Sequence, residues 1–212
     1  KLSAYRVLTR EANNQSLRNA YLIRHGVAGD RTQGAVSLLA KALNIKKANV
    51  VEHATLAERI RNVSGDVVLF ILDDYCGTGT HLSRELERLS SAIAAMGEGW
   101  DDRVHVVVGA CVVADEQSLP TSAEGLPVEP AGGTFLTDRF RPFSSMSGVF
   151  DSPKEQQEAL DMVTSIGKIL VPNNPLGFGG KALLTLMEFN CPNNVAPIFW
   201  KSGTVSQSKW LP

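Results

Sequence analysis

The sequence predicts an α/β fold, a mostly parallel central sheet flanked by helices. Three observations carry that expectation. Two predominantly apolar runs, 67–72 and 104–113, are rich in branched residues and read as strands buried on both faces. Between them, 80–96 carries Leu82, Leu86, Leu89, Ile93 and Met96 three and four residues apart, the stripe of an amphipathic helix. Strand, helix and strand in that order form a βαβ unit over 66–113 with a right-handed crossover, and the alternation continues on both sides.

Composition bounds the rest. With 212 residues, 43% of them hydrophobic, the chain suits one globular domain with a full core, or a domain with a small extension. A formal net charge of -1 and the lack of any Lys/Arg block give no direct nucleic-acid signal. No apolar run approaches the roughly 18 residues of a membrane span, and no leader pattern is visible at the start. Cys76, Cys111 and Cys191 are odd in number and widely spaced, which fits neither a disulfide framework nor zinc spacing, so the expected location is the cytoplasm. The chain opens on Lys1 rather than Met, as a processed protein or a piece of a longer one would.

Taken in order, residues 1–20 are polar and mildly helical. They read as an N-terminal arm: a packing segment, an oligomer contact or the end of a missing domain. Tyr21-Leu22-Ile23 predicts a short strand. A polar, glycine-rich loop follows from His25 to Gly34, then a helix with Val36, Leu39, Ala42 and Leu43 on one face. Arg31 and Thr32 lie just before that helix, where free N–H groups favour an anion; a solvated loop with a helix cap at Thr32 is the plainer reading. Asn49-Val50-Val51 predicts another short strand, and Thr55 with Glu58 a capping box, with Leu56, Ile60 and Val63 facing inward. The helix at 80–96 is expected to turn Arg84, Glu85, Glu87 and Arg88 to water and to stop at Gly97 and Gly99. Residues 115–146, rich in proline and glycine, read as irregular structure or a lid, with a short strand at 126–128. Pro153 opens a helix reaching Leu170, a loop spans 172–180, and 182–187 predicts a strand. The segment 196–200 is apolar and aromatic, and Ile198 and Phe199 look buried.

The chemistry concentrates at 73–81. Asp73 and Asp74 follow the apolar run 67–72, and Gly77-Thr78-Gly79-Thr80 leads into the helix. Ligands of open α/β sheets bind beyond the carboxyl ends of strands. No Lys follows the glycines, so the loop is not a Walker A loop, and Leu82 stands where GxGxxG needs its third glycine. Backbone N–H groups, the Thr78 and Thr80 hydroxyls and the helix dipole suit a phosphate monoester. The carboxylates suit sugar hydroxyls or, through water, Mg²⁺. A ribose 5-phosphate satisfies both ends. The alternative is a turn capped by one aspartate and made by the glycines, less natural for two acids after a buried strand.

The stretch 67–82, VVLFILDDYCGTGTHL, resembles the phosphoribosyl pyrophosphate loop of type I phosphoribosyltransferases: apolar residues, two acids, two variable residues, then a phosphate loop. The stretch 172–200, with Pro192-Asn193-Asn194 leading to Trp200, is similar to phosphoribosyltransferase-like domains of bacterial conflict systems, including antiphage operons such as retrons. The resemblance implies a type I phosphoribosyltransferase-like domain over 21–212 with a small C-terminal hood. It implies that Asp73 and Asp74 are the catalytic residues, holding the ribose 2′ and 3′ hydroxyls and, through ribose or water, a metal. Gly77, Thr78, Gly79, Thr80 and His81 would bind the 5′-phosphate, and Arg31 and Thr32 the pyrophosphate. Phe199 and Trp200 would stack a base, although core packing serves them equally well. Mg²⁺ is the implied cofactor, phosphoribosyl pyrophosphate or a nucleotide the implied ligand, and other defence-operon proteins the implied partners. Two departures matter. His81 stands where such loops end in Thr, and Gly77 stands where purine-salvage enzymes carry an acid that assists the base. The expectation is therefore either an enzyme of the glycosyltransferase class, transferring or cleaving at ribose C1, or a non-catalytic nucleotide-sensing or interaction module.

Overall fold

The structure is a computed structural model that describes residues 19–25, 36–37, 40–123, 125–185 and 191–201, with the backbone of 204–205 and 208–209. The expected arm, up to residue 18, and the loop 26–35 lie outside the described residues. The chain divides into two compact units, Lys1–Phe135 and Leu136–Pro212.

The first unit holds five strands: β1 (Ala20–Ile23), β2 (Val50–Val51), β3 (Val67–Cys76), β4 (Val104–Val113) and β5 (Val128–Phe135). They lie in the order β2-β1-β3-β4-β5, and every pairing is parallel. The α/β expectation is borne out. From β1 the chain moves outward to β2 and then crosses back to β3 on β1's other side. The strand order therefore reverses between β1 and β3, the position where doubly wound sheets open a crevice.

Helices cover both faces because a parallel sheet has no solvated side. On one face α1 (His53–Ile60) and α2 (Thr80–Ala94) bury Leu56, Ile60, Leu82, Leu86, Leu89 and Ile93 against Val67, Leu69 and Ile71 of β3. On the other, Val36 and Ala40 pack with Leu22, Phe70, Leu72 and Val107. Strand alternation fixes this division: odd residues of β3 from 67 to 71 face α1 and α2, even ones the opposite side.

Several elements differ from the sequence expectation. β3 continues through both aspartates to Cys76, because β4 supplies a partner as far as Cys76↔Val113. Residues 128–135 form a strand rather than irregular structure. Pro130, Gly132 and Gly133 hide it, and they are tolerated because β5 is an edge with a neighbour on one side. α1 starts at His53, and Thr55 lies inside it with its hydroxyl donating to the Glu52 carbonyl (3.2 Å), so the capping box does not form. Glu85 is buried, not turned to water (3% exposed).

In the second unit α3 (Pro153–Leu170) begins as expected, with Ser152 capping the Glu155 N–H. Val163 of α3 packs with Ala182, Ala196, Phe143, Leu176 and Ile198. The strand expected at 182–187 reduces, among the described residues, to one isolated bridge, Leu183 to Val195. A two-residue hairpin, β6 (Thr204–Val205) with β7 (Ser208–Lys209), follows.

Candidate functional site

β3 is central, and its C-terminal end, past the last pairing with β1 at Phe70, is held by β4 as far as Cys76↔Val113. There it presents Asp73, buried, and Asp74, half-buried. The Asp74 backbone N–H donates to Asp73 Oδ1 at 2.8 Å. Burial first, then the neighbouring Asp74, push the Asp73 carboxyl up to about 7, because low-polarity surroundings penalise its charge.

The loop after β3 turns on Gly79, whose φ of 77° is open to glycine at little cost. A Cβ at Gly79 would lie 1.8 Å from the Ser118 carbonyl oxygen, so the loop is pressed onto the segment following β4. Ser118 also donates its hydroxyl to the Gly77 carbonyl (3.0 Å). Thr78 and Thr80 share a hydroxyl–hydroxyl hydrogen bond of 3.1 Å. Gly79 is the N-cap of α2 and brings no side-chain acceptor. The first N–H groups of α2 therefore point out without a side-chain cap, beside the two threonine hydroxyls, an arrangement complementary to an anion.

His81, in the first turn of α2, reaches back toward the end of β3. Its Nε2 lies 3.0 Å from His25 Nδ1 and 4.0 Å from Asp73 Oδ2. His25, two residues beyond β1, is buried, 3% exposed, with Nε2 2.8 Å from the Leu72 carbonyl. A carbonyl only accepts, so His25 donates from Nε2–H, and its Nδ1 faces His81 Nε2. Which ring donates in the His25–His81 hydrogen bond follows from the tautomer of each. Burial first, then the charge of His25, hold the His81 imidazole below its ordinary range. Cys111, on β4, has its thiol pushed up by burial and by Asp74 and Asp73. Two histidines and an aspartate thus meet at the β1/β3 reversal point.

The structure therefore brings together Asp73, Asp74, Gly77, Thr78, Gly79, Thr80 and His81 on one strand–loop–helix corner. Arg31 and Thr32 lie outside the described residues. Phe199 and Trp200 belong to the second unit. Phe199 is exposed rather than buried (47%), and its ring is open to a stacking partner. Trp200 spends its indole N–H on the Val195 carbonyl (2.8 Å), which ties the 195–200 turn. The Pro192-Asn193-Asn194 segment fastens to the backbone of Phe178. Asn194 Nδ2 donates to the Phe178 carbonyl (2.8 Å), and the Asn193 carbonyl accepts from the Phe178 N–H (2.7 Å). Sequence reading missed the pairing of His25 with His81 and the part of Ser118. The two histidines lie 56 residues apart, a separation that carries no spacing signal.

The family model PRTase-CE matches residues 3–212. The chain belongs to the PRTase-CE family. It is a phosphoribosyltransferase-like domain of the defence-associated type, as the motif at 67–82 led us to expect. No curated protein and no solved structure matched the chain. Among the described residues, no helix is long and apolar enough to cross a membrane.

For Mg²⁺, which such domains imply, the donor set fits in part. The Asp73 and Asp74 carboxylates are hard oxygens able to hold it through ribose hydroxyls or water. Asp73 Oδ2, however, has imidazole nitrogens as neighbours, which Mg²⁺ does not favour.

Proposed function

We propose that this PRTase-CE protein binds a ribose 5-phosphate ligand, phosphoribosyl pyrophosphate or a nucleotide, at the corner formed by residues 73–81. The observation that carries the reading is the pairing of an acidic strand end with an uncapped helix start held in place by the Gly79–Ser118 contact. The phosphate takes the N–H groups and hydroxyls of 77–81, and the ribose hydroxyls donate to Asp73 and Asp74. Hydroxyl donors also relieve the cost of charging the buried Asp73. Asp73 and Asp74 would hold Mg²⁺ through ribose hydroxyls or water, and the ion would supply neutralising charge to the pyrophosphate, the group to which Arg31 and Thr32 are assigned.

The reaction proposed is transfer or cleavage at ribose C1 through an oxocarbenium-like state, in the setting of bacterial antiphage defence in the cytoplasm with operon-encoded partners. His81, whose imidazole is held below its ordinary range, is assigned to exchange a proton with an acceptor or with water. Gly77 supports a second reading, a nucleotide-sensing or interaction module, because it leaves the loop without a base-assisting acid.

The test is a thermal-shift and calorimetric titration with phosphoribosyl pyrophosphate and Mg²⁺. We expect stabilisation of the wild type and none of the double variant Asp73→Asn/Asp74→Asn. No shift in the wild type, with defence activity intact in the double variant, refutes the enzyme reading. Ligand binding without turnover, and defence that still needs both aspartates, selects the sensor.

A further inference from the structure

We infer that His25, Asp73 and His81 form a three-ligand site for a divalent transition metal of the zinc or iron(II) class. The ligand atoms are His25 Nδ1, Asp73 Oδ2 and His81 Nε2, all within 4.8 Å of one another. The inference does not rest on the ribose 5-phosphate reading, because the three residues converge without any sugar present.

Four features support it. First, the spacing is close to that around a metal. Donors about 2.0–2.2 Å from an ion stand roughly 3.0–3.4 Å apart. The two imidazole nitrogens are already 3.0 Å apart. The 4.0 Å between His81 and Asp73 closes by a small ring rotation of His81, whose side chain is half exposed. Second, His25 is oriented for ligation. Its Nε2–H is fixed on the Leu72 carbonyl at 2.8 Å, the outer hydrogen bond that metal-bound histidines make, and this aims the Nδ1 lone pair inward. Third, Asp73 is a buried carboxylate without a cationic side chain bonded to it among the contacts described, so a metal ion supplies the missing counter-charge. Fourth, the ligands come from three elements, the end of β1, the end of β3 and the first turn of α2, all anchored in one packed unit.

The donor set selects the metal. Two imidazoles and one carboxylate suit zinc, iron(II), cobalt(II) or nickel(II), whereas Mg²⁺ prefers oxygen throughout. Three protein ligands leave positions open for water or a substrate oxygen. Asp74 supplies a second negative charge beside the site, which offsets the unfavourable positive end of α2.

The experiment uses the full chain, stripped with a chelator and free of sugar phosphates. Co²⁺ is titrated and followed by its visible absorption, then Zn²⁺ and Mg²⁺ compete. We expect one equivalent of Co²⁺, displaced by Zn²⁺ and retained in about a hundredfold excess of Mg²⁺. His81→Ala, at a half-exposed position, should keep the fold by circular dichroism and weaken binding about 100-fold. Asp73→Asn should weaken it similarly, and His105→Ala, at the far end of β4, should bind as the wild type does. No Co²⁺ or Zn²⁺ binding, or binding that His81→Ala and Asp73→Asn leave unchanged, overturns the inference. Displacement by Mg²⁺ at equal concentration overturns the assignment of metal class.

Discussion

Replacing Gly79 with alanine should displace the phosphate loop, and its cost follows from the geometry. The new Cβ would lie 1.8 Å from the Ser118 carbonyl oxygen and 2.9 Å from its carbon, contacts that backbone cannot absorb in place. Loop and 116–118 turn must separate by more than an ångström. That breaks the Ser118–Gly77 hydrogen bond, worth about 1 kcal/mol. The positive φ adds roughly 1–2 kcal/mol for a residue with a Cβ. Together the loss is roughly 3 kcal/mol, which at this chain length lowers Tm by about 6–12 °C. Gly97→Ala is the control. Its φ is 101° and nothing lies within 4 Å of an added Cβ, so only the backbone term remains. Differential scanning calorimetry of both variants separates the two costs. If Gly79→Ala loses no more than Gly97→Ala, the loop is not clamped against Ser118 in the way the geometry requires.

Other consequences are simpler to state. Glu85 is buried, 2.9 Å from His53 Nε2 and 2.7 Å from Arg88 Nη1; Glu85→Ala removes both hydrogen bonds while the largely exposed Arg88 stays solvated, and should cost about 1–3 kcal/mol in urea unfolding. Gly167→Ala would ordinarily strengthen α3 by about 0.5–1 kcal/mol. Here the Cβ meets the Pro175 carbonyl oxygen at 1.9 Å, so we expect a net loss of about 1–3 kcal/mol by the same measurement. For Asp73, a folded-state pKa of about 7 lies above the ordinary 3.8. Its contribution is therefore fully present below about pH 4 and lost as pH rises through 7. In chelator-treated protein, Asp73→Asn should raise Tm at pH 8, by up to roughly 4 kcal/mol in stability, and leave it nearly unchanged at pH 4. A stability difference independent of pH would contradict that account.

The parts of this fold legible in the sequence are those where one force dominates. β3 as far as Leu72 and most of β4 are apolar because both faces are covered, and α2 is a clean stripe because one face meets them. β5 was illegible for the complementary reason. An edge strand needs partners on one side alone, so Pro130 and two glycines pass without penalty and erase the pattern. The end of β3 at Cys76 was set by the length of β4, which local sequence does not encode. Glu85 reads as a surface residue because burial of a carboxylate depends on His53 and Arg88, one of them 32 residues away. At the site, the acid pair and glycine loop were legible as a local motif. The His25–Asp73–His81 meeting was not, since it exists only once the strand order reverses between β1 and β3.

The central claim is that 73–81 receives a ribose 5-phosphate. A crystal structure with phosphoribosyl pyrophosphate and Mg²⁺ tests it most directly. The account predicts the 5′-phosphate within hydrogen-bond distance of the Thr80 and His81 N–H groups and the Thr78 hydroxyl, with the ribose hydroxyls on Asp73 and Asp74. A phosphate bound elsewhere, or a corner that stays empty at saturating ligand, would contradict it.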